Sequence, residues 1–295
     1  MKADVLVAEI GSTTTLINAF CGIRSGEPKF IGQGQAPTSV LEGDVRIGLN
    51  GAIEDLKANL GADKIEYGEM LATSSAAGGL RMCVHGLVYD MTVKAAEAAA
   101  LGAGAIVTMA TAGKLSEYDI EDLKEAKPNL ILLAGGTDYG EKETALFNAR
   151  MIAASGVKAP VIYAGNVQNK RVVEENFQKA GISCTVTENV YPKLDKLNIE
   201  PARKIIHQVF EEHIIKAPGM EHIRDMVTGH IMPTPGAVME AVQLAYNEIG
   251  DVVTVDIGGA TTDVHSVTGG SEEIGILLTT PEPFAKRTVE GDLGL

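Results

Sequence analysis

The sequence predicts an α/β fold in which two antiparallel strand-turn-strand units lie at opposite ends of the chain. Apolar β-type runs at Val5 to Ala8 and Val252 to Val255 each lead into a loop of small residues, after which a second apolar strand follows, to Gly22 in the first unit and to Thr268 in the second. Between these units, short apolar runs alternate with amphipathic segments, which is typical of parallel βα units. A chain of 295 residues with 45% hydrophobic residues is long enough to bury two cores.

The elements are expected in the following order. Opening strands and a helix are expected at Val5 to Ile10, Leu16 to Gly22, Lys29 to Gln35 and Asp44 to Leu60. The apolar runs that predict parallel strands are Gly86 to Tyr89, Ala105 to Thr108, Leu130 to Leu133, Pro160 to Tyr163 and Cys184 to Thr187. Further helices are expected over Ser116 to Lys127, Glu141 to Ser155, Lys170 to Ala180, Arg203 to Ile215 and Pro235 to Ile249.

After the second hairpin, the run Ile274 to Thr279 and the last residues, Asp292 to Leu295, predict no further helix. We therefore expect three regions: 1–68 with the first hairpin, 69–190 as a Rossmann-like βα module, and 191–295 with connecting helices and the second hairpin.

Two short loops share one pattern of residue types: Glu9-Ile-Gly-Ser-Thr-Thr-Thr15 and Asp256-Ile-Gly-Gly-Ala-Thr-Thr-Asp263. Each offers a carboxylate, then glycine, then hydroxyls. Glycine lets the backbone approach a phosphate, while N–H groups and hydroxyls donate to its oxygens. One such hairpin alone would be an ordinary turn. The pair predicts phosphate binding by Gly11, Ser12, Thr13, Thr14, Gly258, Gly259, Thr261 and Thr262.

The two carboxylates, Glu9 and Asp256, are the candidate metal ligands and catalytic residues. Mg²⁺ beside phosphates needs only one or two acidic side chains. Phosphoryl transfer depends mainly on positioning and on neutralising charge, so a carboxylate that orients metal or water suffices. Asp263 is a second candidate for this role, or it caps its hairpin through a hydrogen bond to the nearby backbone.

The two loops resemble the paired phosphate motifs of the actin-like ATPases, in which two duplicated, ribonuclease H-like lobes close on a nucleotide. The first loop departs from the family pattern, because this chain has Glu9 where the family has Asp. The resemblance implies an actin-like fold with ATP and Mg²⁺ as ligands and with the βα module as an insertion. In that superfamily the adenosine-binding segment follows the second phosphate loop. We therefore expect a sequence truncated within its second lobe, which binds ATP poorly on its own.

Four further stretches narrow the resemblance: Leu130 to Asp138, Asn189 to Leu194, Lys196 to Arg203 and Met232 to Val238. They are similar to the MutL-type, or GlmL-type, accessory ATPases of adenosylcobalamin-dependent glutamate mutase and related aminomutases. The resemblance implies an ATP-driven chaperone that reactivates such a mutase by releasing damaged cobalamin. It leaves open which mutase is the client and whether the protein forms a homodimer.

Composition excludes some function classes. The formal net charge is −14, the opposite of a nucleic-acid-binding surface. The three cysteines are widely spaced and indicate neither a disulfide framework nor a zinc site. Neither a signal peptide nor an apolar run of membrane-spanning length is present, so we expect a cytoplasmic protein without membrane contact.

Other motifs keep two interpretations each. The pair Gly135-Gly136 follows an apolar strand, and is either a ligand-binding turn or a tight turn before a helix. The loop Ser74 to Leu80 is rich in small residues, and Arg81 beside it could meet a phosphate or lie at the surface.

The alternative function is a small-molecule kinase of the actin-like superfamily, for which the sequence shows no convincing second-substrate site. Filament formation would need complementary exposed faces, which a sequence alone does not display.

Overall fold

The computed structural model describes residues 1–76, 79–278 and 280–291 and arranges them in three sheets with helices. The strands are β1 (Lys2–Ile10), β2 (Thr14–Cys21), β3 (Lys29–Pro37), β4 (Glu66–Ser74), β5 (Arg81–Gly86), β6 (Ile106–Ala112), β7 (Leu130–Leu133), β8 (Val161–Tyr163), β9 (Cys184–Val186), β10 (Ile231–Pro233), β11 (Val252–Ile257), β12 (Thr261–Val267) and β13 (Ala285–Gly291). The helices are α1 (Val45–Leu60), α2 (Lys94–Gly102), α3 (Glu117–Ala126), α4 (Glu143–Ala154), α5 (Lys170–Lys179), α6 (Glu200–Ile215), α7 (Thr234–Ile249) and α8 (Glu272–Leu277).

The first sheet has the order β10-β4-β1-β2-β3. Strand β2 runs antiparallel to β1 and β3, while β4 pairs in parallel with β1 and β10 in parallel with β4. Three antiparallel strands followed by parallel ones is the arrangement of a ribonuclease H-like lobe, so the expected fold class is confirmed. The expected boundary at residues 68 and 69 falls inside β4, which belongs to this sheet.

Helix α1 covers β2 and β3 and begins where the sequence predicts. The Asp44 carboxylate accepts a hydrogen bond from the backbone N–H of Arg46 at 2.9 Å, which caps the helix start. Gly61, with a φ of 60°, ends the helix in the left-handed conformation. Leu49 and Leu56 are fully buried against the sheet. Gly34 of β3 has no room for a Cβ atom, because the α1 backbone lies against it.

The middle of the chain is a parallel sheet with the order β6-β5-β7-β8-β9, as the alternating pattern predicts. One predicted strand is wrong. The run Gly86 to Tyr89 mostly follows β5 rather than forming a strand, and a five-residue π-helix occupies Tyr89–Val93. The strand itself lies at Arg81–Gly86, where Arg81 and a buried histidine, His85, interrupt the apolar pattern.

The third sheet is antiparallel, with the order β11-β12-β13. Met239 and Val242 of α7 pack on one face of it, against Val267 and Ala285. The sequence predicted the hairpin but not β13, and the expectation of no further helix was wrong, because α8 follows the hairpin. Thr279, the residues 292–295, and residues 77–78 of the small-residue loop lie outside the described residues.

The two hairpins are one repeated unit with different burial. Aligning the loops at Glu9 and Asp256 places Ala8 and Ile10 of β1 on Val255 and Ile257 of β11. Ala8 and Ile10 are 0% exposed within the main core, whereas Val255 and Ile257 are 53% and 54% exposed. Within the described residues, no helix is long and apolar enough to cross a bilayer.

Candidate functional site

The first loop is held in a fixed turn at the ends of β1 and β2. The backbone N–H of Gly11 donates to the Thr14 carbonyl at 2.9 Å, and the Thr38 hydroxyl donates to the Gly11 carbonyl at 2.9 Å. Ser12 and Thr13 are exposed at the tip, and the Ser12 hydroxyl lies 3.4 Å from the Ser75 carbonyl. The loop therefore presents its hydroxyls outward from a rigid base.

The second loop repeats the same turn. The backbone N–H of Gly258 donates to the Thr261 carbonyl at 2.9 Å, the counterpart of the hydrogen bond between Gly11 and Thr14. Gly258 and Gly259 are exposed, while Thr261 and Thr262 are half-buried. The Thr261 hydroxyl lies 3.3 Å from Asp263 Oδ2, so part of its hydrogen-bonding capacity is used inside the hairpin.

The structure brings the two loops together. A Cβ atom added to Gly259 would collide with the Thr13 hydroxyl and lie 3.1 Å from Thr13 Cγ2. The loops also interact electrostatically, because the charge of Asp256 contributes to raising the pKa of Glu9. The tips of the two loops, at Thr13 and Gly259, therefore lie against each other, and we call the region between the two loops the cleft.

Glu9 lies on β1, opposite Leu16 of β2 and Thr73 of β4. Burial raises the pKa of its carboxyl, a hydrogen bond from the Thr234 hydroxyl at 3.3 Å lowers it, and the charge of Asp256 raises it. Thr234 is the first residue of α7 and also lies 3.3 Å from the Thr73 hydroxyl. The α7 N-terminus therefore points toward this carboxylate, an arrangement that favours negative charge.

Thr234 was not predicted as a site residue. The sequence does contain a signal for the start of a helix at Thr234. This residue stands between two prolines in the stretch Met232 to Val238, and proline is frequent in the first turn of a helix.

Asp256 occupies the equivalent position on β11, opposite Asp263 of β12. Burial raises the pKa of Asp256, the charge of Asp263 raises it further, and Arg287 lowers it. Both cleft carboxyls, Glu9 and Asp256, therefore have raised pKa values. A nearby cation would favour the charged form of each of these carboxyls.

Asp263 does not line the cleft as a second metal ligand would. It is 4% exposed, and its Oδ1 atom lies 2.9 Å from Arg287 Nε and 2.8 Å from Arg287 Nη2. Arg287 also donates to the carbonyls of Leu101 and Ala105 at the end of α2. The pair joins the third sheet to the rest of the molecule, which assigns Asp263 a structural position.

The two carboxylates, Glu9 and Asp256, fit a Mg²⁺ ion that takes most of its ligands from a bound phosphate group and from water. No group of three or more histidine, cysteine or acidic side chains in the described residues could hold a metal by itself. Glu9 and Asp256 would offer such an ion two carboxylate groups, and one or two acidic side chains are what Mg²⁺ commonly uses when phosphates and water complete its shell.

The Gly135-Gly136 turn is explained by packing. A Cβ atom on Gly135 would lie 2.9 Å from the Ala145 Cβ, and one on Gly136 would lie 2.5 Å from the Glu141 carbonyl oxygen. The Asn189 amide donates to the Gly136 carbonyl at 3.0 Å. These contacts favour the tight-turn interpretation over a ligand-binding turn.

The family model and a curated relative agree on one family. The family model described as "MutL protein" matches residues 5–295. The "Protein MutL" of Clostridium tetanomorphum is 47% identical over 265 residues, which cover 87% of this chain and 57% of that relative. This chain thus spans 57% of the length of the curated relative it matches. A solved structure described as "Mechanism of ATP-Dependent Acetone Carboxylation, Acetone Carboxylase nucleotide-free structure" is 16% identical, with a TM-score of 0.46, over 98% of this chain and 48% of its own.

Proposed function

This chain belongs to the MutL protein family, and on that premise we propose that it binds ATP with Mg²⁺ between the Glu9 loop and the Asp256 loop. The direct approach of Gly259 to Thr13 supports this proposal, because it brings the tips of the two loops next to each other. A polyphosphate between them would receive N–H and hydroxyl donors from both sides, as phosphate-binding turns provide.

Each group has a distinct part in this arrangement. The phosphates are bound by the small and hydroxyl-bearing residues of the two loops: Gly11, Ser12, Thr13, Thr14, Gly258, Gly259, Thr261 and Thr262. Glu9 and Asp256 hold Mg²⁺, which when bound neutralises charge on the phosphates. Asp256 orients the attacking water. Because the cleft already contains two carboxylates that repel a polyphosphate, ATP without Mg²⁺ should bind much more weakly than the magnesium complex.

The partner in this proposal is an adenosylcobalamin-dependent mutase, either glutamate mutase or a related aminomutase. The stretches that resemble the accessory ATPases support this choice, and one of them, Met232 to Val238, begins the helix beside Glu9. ATP binding and hydrolysis would switch the lobes between two conformations with different affinity for the mutase, which is the condition for ligand-driven release of damaged cobalamin. The βα module, β5 to β9, is the proposed contact surface.

The net charge of −14 argues against a nucleic-acid partner in this role. The three free cysteines are compatible with the cytoplasm as the compartment.

The test is Asp256→Asn in the protein that carries this sequence, with Asp251→Asn as the control. Asp251 is an exposed carboxylate just before the same strand. We expect Asp256→Asn to reduce Mg²⁺-dependent ATP turnover by about 10²–10³-fold, the range for loss of one preorganised electrostatic group. The control should keep its turnover, and both variants should unfold at the same urea concentration as the unchanged protein. Equal turnover in the two variants would refute the role of Asp256.

A second readout tests the partner. Purified adenosylcobalamin-dependent glutamate mutase, loaded with damaged cobalamin, should regain activity with the unchanged protein and ATP but not with Asp256→Asn. If Asp256→Asn loses ATP turnover but the unchanged protein does not reactivate the mutase, the nucleotide site is correct and the partner is wrong.

A further inference from the structure

A cavity lies away from the two loops, between the N-terminal edge of the parallel sheet and the end of α6. It has a volume of about 410 Å³ and is lined by Gly79, Arg81, Asn129, His213, Lys216, Ala217 and Pro218. That volume is within the range of about 300–1,000 Å³ typical of small-molecule sites.

The lining is positively charged in a strongly negative protein. Arg81 opens β5, while His213 and Lys216 come from the end of α6. No carboxylate lines the cavity. Among the ion pairs of the described residues, none includes Arg81, His213 or Lys216. This local excess of positive charge departs from the formal charge of −14 for the whole chain.

The Arg81 side chain is held at the cavity by its neighbours. Its backbone N–H donates to Asn129 Oδ1 at 2.9 Å, and its Nη2 atom donates to the Lys127 carbonyl at 3.1 Å. One nitrogen of the guanidinium is thus hydrogen-bonded to the loop before β7, and no ion pair among the described residues includes Arg81. A fixed guanidinium forms directed hydrogen bonds with oxyanions.

The electrostatics of His213 agree with this geometry. Burial lowers the pKa of its imidazole, and the charge of Arg81 lowers it further, with no acidic group acting in the opposite direction. Protonation of His213 is therefore opposed by a neighbouring cation. A bound anion would remove that opposition.

We propose that this cavity binds the phosphoryl group of a small phosphorylated molecule. Arg81 would approach the anion from the sheet, and Lys216 and His213 from the end of the helix, while Asn129 lines the same cavity. Donors from two directions suit a tetrahedral group with several oxygens better than a planar carboxylate. The remaining volume, beside Gly79, Ala217 and Pro218, accommodates the rest of the molecule.

The experiment uses sulfate as the probe, because it keeps its charge over the range in which an imidazole titrates. Backbone amide NMR signals of Gly79, Arg81 and Ala217 should shift saturably, with a Kd in about the millimolar range. Arg81→Gln and Lys216→Gln should each weaken binding about tenfold or more. Lys204→Gln is the matched control, because Lys204 is an exposed lysine on the same helix and does not line the cavity.

The pH dependence provides a further readout. Arg81 and Lys216 are the charged groups that line the cavity with His213. Sulfate binding should strengthen as pH falls, because the bound anion favours protonated His213, and His213→Gln should remove this dependence.

Three results would overturn the proposal: no saturable shift at Arg81, equal weakening in Lys204→Gln, or shifts confined to Gly11 and Gly258 in the other cleft. Inorganic phosphate and a sugar phosphate then distinguish the free ion from a larger ligand. The larger ligand should bind more tightly, since it also fills the apolar part of the cavity.

Discussion

Asp263 and Arg287 form a buried ion pair, and removing its carboxylate should unfold the protein more readily than any change at the cleft tips. The residues are 4% and 6% exposed, and Arg287 Nη2 lies 2.8 Å from Asp263 Oδ1. In Asp263→Ala, the guanidinium keeps the Leu101 carbonyl at 3.1 Å and the Ala105 carbonyl at 3.3 Å as acceptors but loses its countercharge. Breaking a buried pair in this way costs about 3–5 kcal/mol, which is a large share of a typical unfolding free energy of about 5–15 kcal/mol.

Urea unfolding followed by circular dichroism measures this loss. A double variant, Asp263→Ala with Arg287→Met, supplies the internal control, because apolar replacement of a whole buried pair is often neutral. We expect the double variant to be more stable than Asp263→Ala alone. The reasoning is refuted if Asp263→Ala stays within about 1 kcal/mol of the unchanged protein, the average effect of an ordinary substitution, or if the double variant is no more stable than the single one.

Two further predictions follow from the loops and the repeated hairpins. Gly259→Ala should weaken Mg²⁺-ATP binding, measured by calorimetry, because the new Cβ meets Thr13. Gly275→Ala in α8 is the control and should have little effect, since no atom lies within 4 Å of its added Cβ and Gly275 belongs to neither loop; equal affinities in the two variants would contradict the facing-loop geometry. Ala8→Lys should unfold the protein or lower its stability by several kcal/mol, because it buries a charge. Val255→Lys should change stability by about 0.5 kcal/mol or less, since Val255 is 53% exposed. Urea midpoints measure both, and comparable losses would show that Val255 is buried in solution.

The fold was predictable wherever burial alternates with the period of the element. The β1 and β2 hairpin and the helix α1 follow the sequence pattern closely, because each has one buried face and clear end signals. Strand β4 was missed. It pairs in the middle of the first sheet, yet its first three residues, Glu66 to Gly68, are exposed, so no apolar alternation marks where it begins.

Strand β13 shows why a period can mislead. Its inward positions are Ala285 and Arg287, and its outward positions include Lys286 and Thr288, so hydrophobicity does not alternate with burial. Arg287 points inward because Asp263 and two backbone carbonyls surround it. A sequence pattern contains no information on such a partner from another strand.

The two loops of the candidate site were predictable from the sequence, whereas the residues that contact their carboxylates were not. Glycine, hydroxyl and carboxylate residues in fixed order identify both turns, because the chemistry of a phosphate needs those types close together in sequence. Thr234 reaches Glu9 from the start of α7, and Arg287 reaches Asp263 from β13. Both contacts depend on how distant segments pack.

The two loops share a turn but differ in what surrounds their carboxylates, and this difference connects the structural ion pair to the cleft. Glu9 faces Leu16 across its hairpin, whereas Asp256 faces Asp263. The pKa of Asp256 is raised by burial and by Asp263 and lowered by Arg287. Removing Arg287 alone would therefore raise the pKa of Asp256 further while also destabilising the fold. Removing Asp263 and Arg287 together takes away two opposite charges, so the field at Asp256 changes little. Either single removal thus changes the stability and the pKa of Asp256 together, whereas the double variant should change both little.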